Sequence, residues 1–541
     1  MAQKRSNRVY ICIGLTVVII LSLLIAVIVL ATKKDDDTDS TSKNPSPEVQ
    51  GSSDLMEFFN VKDGIQVTWH PAAVNELDVK EAIKAQAHAV EIFLVTTSGK
   101  FIMKNGSTTV EEIFRLVKHS GTILKINLET SRDVTSDVIN LLKKIDTTNL
   151  ESPVIITISV FSSIFNWDKF LSNDVRQWRN VVFNFDLTTQ CCQSPIGRGV
   201  IEKVGQLQKR LKTPSTVEIN VKSVQSSWDD IRWLLDVNDR LTLILSTTTL
   251  VGTDYIYSAL IVRNDMDKNR IFYNFGGTIF SEFKAAASTA GSALLYFDIN
   301  PRDAGNIIWS HNTDTWEQIN AATAGDVQMI EGDIQVLGQG TTNQTNIPIM
   351  AHDIGDNNNI TFEQWLDEII KVDKGMKFDF KSIDAVRPAL KITSSKLDQI
   401  KGPIWLNADI VKGPNGIEPR IPKQAFLNAA LEFGPSTLSL GWTTVRKGDN
   451  YHLKYTMEMV KEMYEITKNL KQPITFPVRA EQLKDSMLEF DWLLNQSRGY
   501  TLTVWTSHGD NVTKSDMDYV KRQHEAARIY FDLPVELRPT I

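Results

Sequence analysis

The chain has 541 residues, enough for several domains, and a formal net charge of −7. That balance excludes the basic field that nucleic-acid binding requires, and an apolar content of 42% supplies a large core. Three cysteines, two of them adjacent at Cys191 and Cys192, form neither a disulfide framework nor a zinc-type spacing.

Residues 1–9, with Lys4, Arg5 and Arg8, predict a short cytoplasmic tail. Residues 10–31 carry no charge, and a helix of that length spans ~33 Å against a bilayer core of ~30 Å. The run passes directly into TKKDDD, with no small-x-small cleavage site. This reads as a retained signal-anchor helix rather than a cleaved signal peptide. Residues 32–56 read as a disordered polar stalk. The expected topology is a single-pass type II protein of the plasma membrane, with the bulk of the chain outside the cell. Asn105, Asn343, Asn359, Asn495 and Asn511 head N-x-S/T sequons and are the expected glycosylation sites.

From about residue 57 the chain repeats itself. VTWHPAAVNELDVKEAIKAQAHAVEIFLV answers IIWSHNTDTWEQINAATAGDVQMIEGDIQV, placing Glu91 opposite Glu331, an offset of 331 − 91 = 240. His70 falls within one position of His311, FIMKNG answers PIMAHD, and SPVIITISV answers GPIWLNADI. A period this long is a duplicated domain, not a solenoid.

In the second copy, NIIWSH, MIEGDIQV, KFDFK, PIWLNADI, TLSLGWT, PITFPVRA, YTLTVW and RIYFDLP read as strands, with amphipathic helical patterns between most of them. Eight strands alternating with helices predict a (β/α)8 barrel, with an open doubly wound sheet as the alternative. The fold class is therefore α/β: two tandem TIM-type barrels, near 57–285 and 300–541, preceded by a transmembrane helix.

Catalytic groups of such a barrel sit at the C-terminal strand ends. There lie His311, Glu331 and Asp333, His352, then Asp379 and Lys381. Residues two apart on a strand share a face, so Glu331 pairs with Asp333 and Asp379 with Lys381. Three carboxylates make a hard-oxygen site suited to Mg²⁺ or Ca²⁺. The two imidazoles supply general acid and base in an order the sequence leaves open, and Lys381 supplies a fixed cation. Asn407, Trp442, Arg479 and Trp505 close later strands and are expected to line the substrate mouth.

These motifs carry a resemblance. WSHN, IEGDIQV, PIMAH, KFDFK, PIWLNADI, GWTT, TFPVR and LTVW resemble the menorin family along the whole second domain, and the duplicated, anchored layout resembles its two-domain members. The order His, Glu-x-Asp, His, Asp-x-Lys is more distantly similar to glycerophosphodiester phosphodiesterases and spider-venom sphingomyelinase D enzymes. That similarity implies Glu331, Asp333 and Asp379 as metal ligands, His311 and His352 as the acid/base pair, and Lys381 as a phosphate contact. It implies a phospholipid or related phosphodiester as substrate. The menorin resemblance implies instead a cell-surface protein partner, in cell–cell signalling of dendrite patterning.

The first copy is expected to be a pseudo-enzyme barrel. Opposite His352, Asp333, Asp379 and Lys381 stand Asn105, Phe93, Asn127 and Glu129; opposite Asn407 and Arg479 stand Thr157 and Lys222; His70 and Glu91 remain. One carboxylate holds a divalent ion poorly.

Overall fold

The computed structural model describes residues 55–129, 134–172, 178, 180–188, 195–211, 213–247, 254–356, 359–445 and 454–540. The expected anchor at 10–31, nearly all of the expected stalk, and the Cys191–Cys192 pair lie outside them. Among the described residues no helix is long and apolar enough to cross a membrane.

The first half forms β1 (Trp69–Ala73), β2 (Ala89–Thr97), β3 (Lys100–Met103), β4 (Ile123–Glu129), β5 (Val154–Ser159), β6 (Val181–Asp186), β7 (Ser215–Asn220), β8 (Leu241–Ser246) and β9 (Ile271–Asn274). Its hydrogen-bonded order is β1-β2-β4-β5-β6-β7-β8-β9, all parallel, with β3 an antiparallel arm on β2. The second half forms β10 (Trp309–Ser310), β11 (Met329–Val336), β12 (Pro348–Met350), β13 (Gly375–Phe380), β14 (Ile404–Lys412), β15 (Thr437–Thr443), β16 (Ile474–Arg479), β17 (Tyr500–Trp505) and β18 (Ile529–Asp532). The order repeats as β10-β11-β13-β14-β15-β16-β17-β18, again parallel, with β12 the antiparallel arm on β11.

In each half the last strand returns beside the first without a ladder between them. The result is two nearly closed parallel barrels, which excludes the open doubly wound sheet. PIMAHD differs from the other strand segments of the expected site: its strand is the antiparallel arm rather than part of the wall.

Alternation explains the wall. On β11 all eight residues are buried. Glu331, Asp333 and Gln335 face the interior, while Ile330 and Ile334 join the core under the helices. Burying each such side chain stabilises the fold by about 1.5–3 kcal/mol. Gly332 lies between the two acids because a Cβ there would come within 2.5 Å of Met350 Cε and 3.2 Å of the Trp365 ring.

The helices start where side chains satisfy their free N–H groups. Capping boxes at Asn75–Asp78 and Thr109–Glu112 in the first half recur as Thr315–Gln318 and Thr361–Gln364 in the second. The N-terminal end of each barrel is plugged by a short apolar helix. Leu55 and Met56 of Leu55–Phe59 pack on Trp69, Ile123 and Phe272; Ala293 and Leu294 of Ala293–Tyr296 pack with Trp309, Trp405 and Tyr530. The barrels touch through Arg498 Nε and Asp229 Oδ1 at 3.1 Å, and through the Thr289 hydroxyl donating to Pro435 O at 2.8 Å.

Candidate functional site

Above the aromatic layer of Trp309, Trp405 and Tyr530, the second barrel's interior turns to charge. Glu331, Asp333 and Asp379 each offer an oxygen, and the three lie within 4.8 Å of one another. Lys381 Nζ bridges two of them, 2.7 Å from Asp379 Oδ2 and 3.0 Å from Asp333 Oδ1. Asp333 Oδ1 nonetheless receives no well-directed hydrogen bond. Asn407 Nδ2 donates to Asp379 Oδ1 at 2.7 Å, and Ser439 Oγ fixes the Asn407 amide at 2.5 Å. Burial opposes ionisation of Asp379, but the Lys381 and Lys377 ammoniums overcome it and hold its pKa below the usual carboxylate range. Burial dominates at Glu331 and raises its pKa, against the nearby His311 charge.

His311 follows β10 at the seam. Its Nδ1 is 2.9 Å from Asp532 Oδ2 and 3.6 Å from Glu331 Oε2. Protein crowds the ring from the sides, which lowers its pKa, yet 46% of the side chain is open to the mouth. The Asp532 and Glu331 carboxylates outweigh that crowding and push the ring up to about 10. It is an imidazolium at neutral pH, with Nδ1–H on Asp532 and Nε2–H free for other work.

The turn after β10 is built around the acids. Asn312 adopts φ 53° and donates its N–H to Glu331 Oε2 at 2.6 Å. Its amide is oriented by the network, with nitrogen toward Asp314 Oδ2 (2.6 Å) and Asp333 Oδ2 (3.1 Å). Asp314 Oδ1 accepts from Asp333 N at 2.9 Å, and burial, reinforced by Asp333, raises the Asp314 pKa.

The corresponding interior of the first barrel is filled by a lysine and asparagines. Lys125 Nζ lies 2.5 Å from Glu91 Oε1 and 2.7 Å from Glu218 Oε1. Asn127 donates to the same Glu91 Oε1, while Asn274 and Asn184 donate to Glu91 Oε2 and Glu218 Oε2. Ladder registers put Lys125 at the place of Lys377, Asn127 at that of Asp379, and Phe93 at that of Asp333.

The Menorin N-terminal domain profile matches residues 63–279 and again 303–538. The chain belongs to the menorin family. Human protein FAM151B is 37% identical over 259 residues, covering 46% of this chain and 93% of that protein. Two matches side by side mean that this menorin carries the family domain twice, as the paired barrels show.

In this menorin the structure gathers His311, Glu331, Asp333, Asp379, Lys381 and Asn407 in one cluster inside the mouth. It does not bring the other expected residues to them. His352 is half exposed beyond β12, its Nδ1 3.3 Å from Asp353 Oδ1 rather than on the cluster. Trp442 faces away from the interior. It is 1% exposed, packs on Tyr455 and Phe490, and donates to Met459 O, so the expected substrate contact is a core residue. Arg479 is buried, with Nε 3.0 Å from Asp510 Oδ2, and its guanidinium sits 5.5 Å from the half-buried Trp505 ring. The five sequon asparagines of the described chain are all exposed.

The ladders bear out the alignment of Trp69 with Trp309 and of His70 one position from His311, but His70 is not a retained site residue. Trp69 and Trp309 share a register, so His70 matches Ser310, and Pro71 stands where the second copy has His311. Asn220, not Lys222, matches Arg479; both stand at the N-cap position of the helix that follows, and Asn220 alone caps it with its side chain. Of the expected site, the first barrel retains Glu91 alone. Reading the sequence missed Asp532, Lys377, Asp314 and Asp409. Lys377 was legible, since it lies two before Asp379 on one face, and Asp532 closes the last strand as the other acids close theirs.

Proposed function

We propose that the second barrel cleaves a phosphodiester, with Glu331, Asp333 and Asp379 holding one Mg²⁺ or Ca²⁺ ion. The convergence of three carboxylate oxygens within 4.8 Å, at the mouth of a parallel barrel, carries this reading. The donor set is hard oxygen, as those ions prefer. Six acids (Glu331, Asp333, Asp379, Asp532, Asp314 and Asp409) outnumber three cations (His311, Lys377 and Lys381) around the mouth. The incompletely satisfied Asp333 Oδ1 fits the same reading. A bound ion would neutralise and orient the phosphate. Lys381 stands beside it as a second positive contact for phosphate oxygens. The free Nε2–H of His311 is placed to protonate an oxygen at the mouth. His352, at the rim, is an approach contact in this arrangement.

The test is turnover of a panel of glycerophosphodiesters, lysophospholipids and sphingomyelin with added Mg²⁺ or Ca²⁺. Activity that vanishes in Asp379→Asn, with folding retained, supports the reading; an inactive wild type overturns it.

A second reading is a cell-surface recognition protein that binds a partner ectodomain. The first barrel favours it, since it keeps its fold after losing the acids, with Phe161 and Ile164 exposed. In either case residues 10–31 would anchor the chain, with both barrels outside the cell. A mass shift on glycosidase treatment of protein made in cells supports that placement, and unmodified Asn343 and Asn511 would oppose it.

A further inference from the structure

Asp409 lies two residues beyond Asn407 on β14 and so faces the same interior, one layer nearer the mouth. Gly441, its neighbour on β15, keeps space for it: a Cβ there would come within 2.2 Å of Asp409 Oδ1. The carboxylate is exposed through the mouth, and among the described residues no hydrogen bond or ion pair holds it. Every other acid of the layer is engaged with a lysine, the histidine or a backbone N–H.

Strand order gives this residue its meaning. His311 ends β10, the three clustered carboxylates occupy β11 and β13, and Asp409 is on β14. The two flank the cluster on opposite sides. Displacement at phosphorus brings the attacking and leaving oxygens roughly in line, so the groups that move their protons must stand on opposite sides. The first barrel has Pro71 and Ser159 at these two positions. Both proton carriers are missing there together with the acids.

We propose that Asp409 is a catalytic residue of the second barrel, taking the proton of the attacking hydroxyl while His311 protonates the leaving oxygen. This rests on the phosphodiesterase reading. The hydroxyl oxygen forms the new O–P bond as its proton passes to Asp409; the old P–O bond breaks as the imidazolium proton passes to the departing oxygen. Both residues then exchange with water. An exposed carboxylate that no cation or donor among the described residues holds is free to take a proton there.

The experiment compares the wild type with Asp409→Asn, Asp409→Ala and His311→Ala in the full chain. Each is assayed on glycerophosphocholine and on a p-nitrophenyl phosphodiester, with Mg²⁺ affinity measured by calorimetry. Asp409→Asn is expected to lower turnover of both substrates by about 10²–10⁴-fold, with Mg²⁺ affinity unchanged. Added formate should restore part of the activity of Asp409→Ala. The His311→Ala loss should shrink on the p-nitrophenyl ester, whose leaving group needs no proton. Wild-type turnover in Asp409→Asn, or Mg²⁺ affinity falling along with turnover, overturns the role of Asp409 alone. A wild type inactive on both substrates overturns the phosphodiesterase reading, and the role of Asp409 with it.

Discussion

His311 and Asp532 are 221 residues apart in sequence and 2.9 Å apart in space. They join the first and last strands of the second barrel at the seam, where no backbone ladder runs. The pair orients the imidazole, fixes its Nδ1–H, and keeps it charged.

Asp532→Asn should therefore bring the His311 pKa down from about 10 toward the ordinary value of about 6.5. The raised pKa means that the stabilisation is full below the unfolded value of about 6.5 and is lost as pH rises through about 10. The melting-temperature gap between wild type and Asp532→Asn should be widest in mild acid and narrow as pH rises through about 10, leaving the part that the Lys377 ammonium contributes. Imidazole NMR without added divalent ions reads the pKa directly; an unchanged His311 titration would refute the assignment.

Lys125→Met should damage the first barrel. It leaves Glu91 and Glu218 buried without their shared cation, and breaking such a buried pair costs about 3–5 kcal/mol. Denaturant unfolding measures this, and Mg²⁺ affinity of the intact chain should not change. A loss of ion binding in Lys125→Met would place the ion in the wrong barrel.

Gly332→Ala tests how tightly the acid-bearing strand is held. Its Cβ meets Met350 and Trp365, and overpacking of this kind costs about 1–3 kcal/mol. The expected result is a lower melting temperature together with weaker Mg²⁺ binding, because Glu331 and Asp333 flank the displaced residue.

Trp442→Ala separates core from mouth. A buried Trp truncated to Ala costs about 3–5 kcal/mol, so the variant should melt early. A raised KM with an unmoved melting temperature would instead put Trp442 back at the substrate.

The sequence by itself determined the two barrels and most of the acid cluster. Strand alternation and helix caps are local properties, and the 240-residue offset between Glu91 and Glu331 exposes the duplication without coordinates. Glu331–Asp333 and Asp379–Lys381 were legible because residues two apart on a strand share a face. Tertiary structure alone decided what lies between strands. A shift of one residue reverses a side chain's face, so only the ladder could set Pro71 rather than His70 against His311, and turn Trp442 into the core. Only closure of the wall brought Asp532 to His311. Only the empty side of Gly441 left Asp409 free at the mouth. Those relations depend on contacts between strands far apart in the chain, which local sequence pattern does not encode.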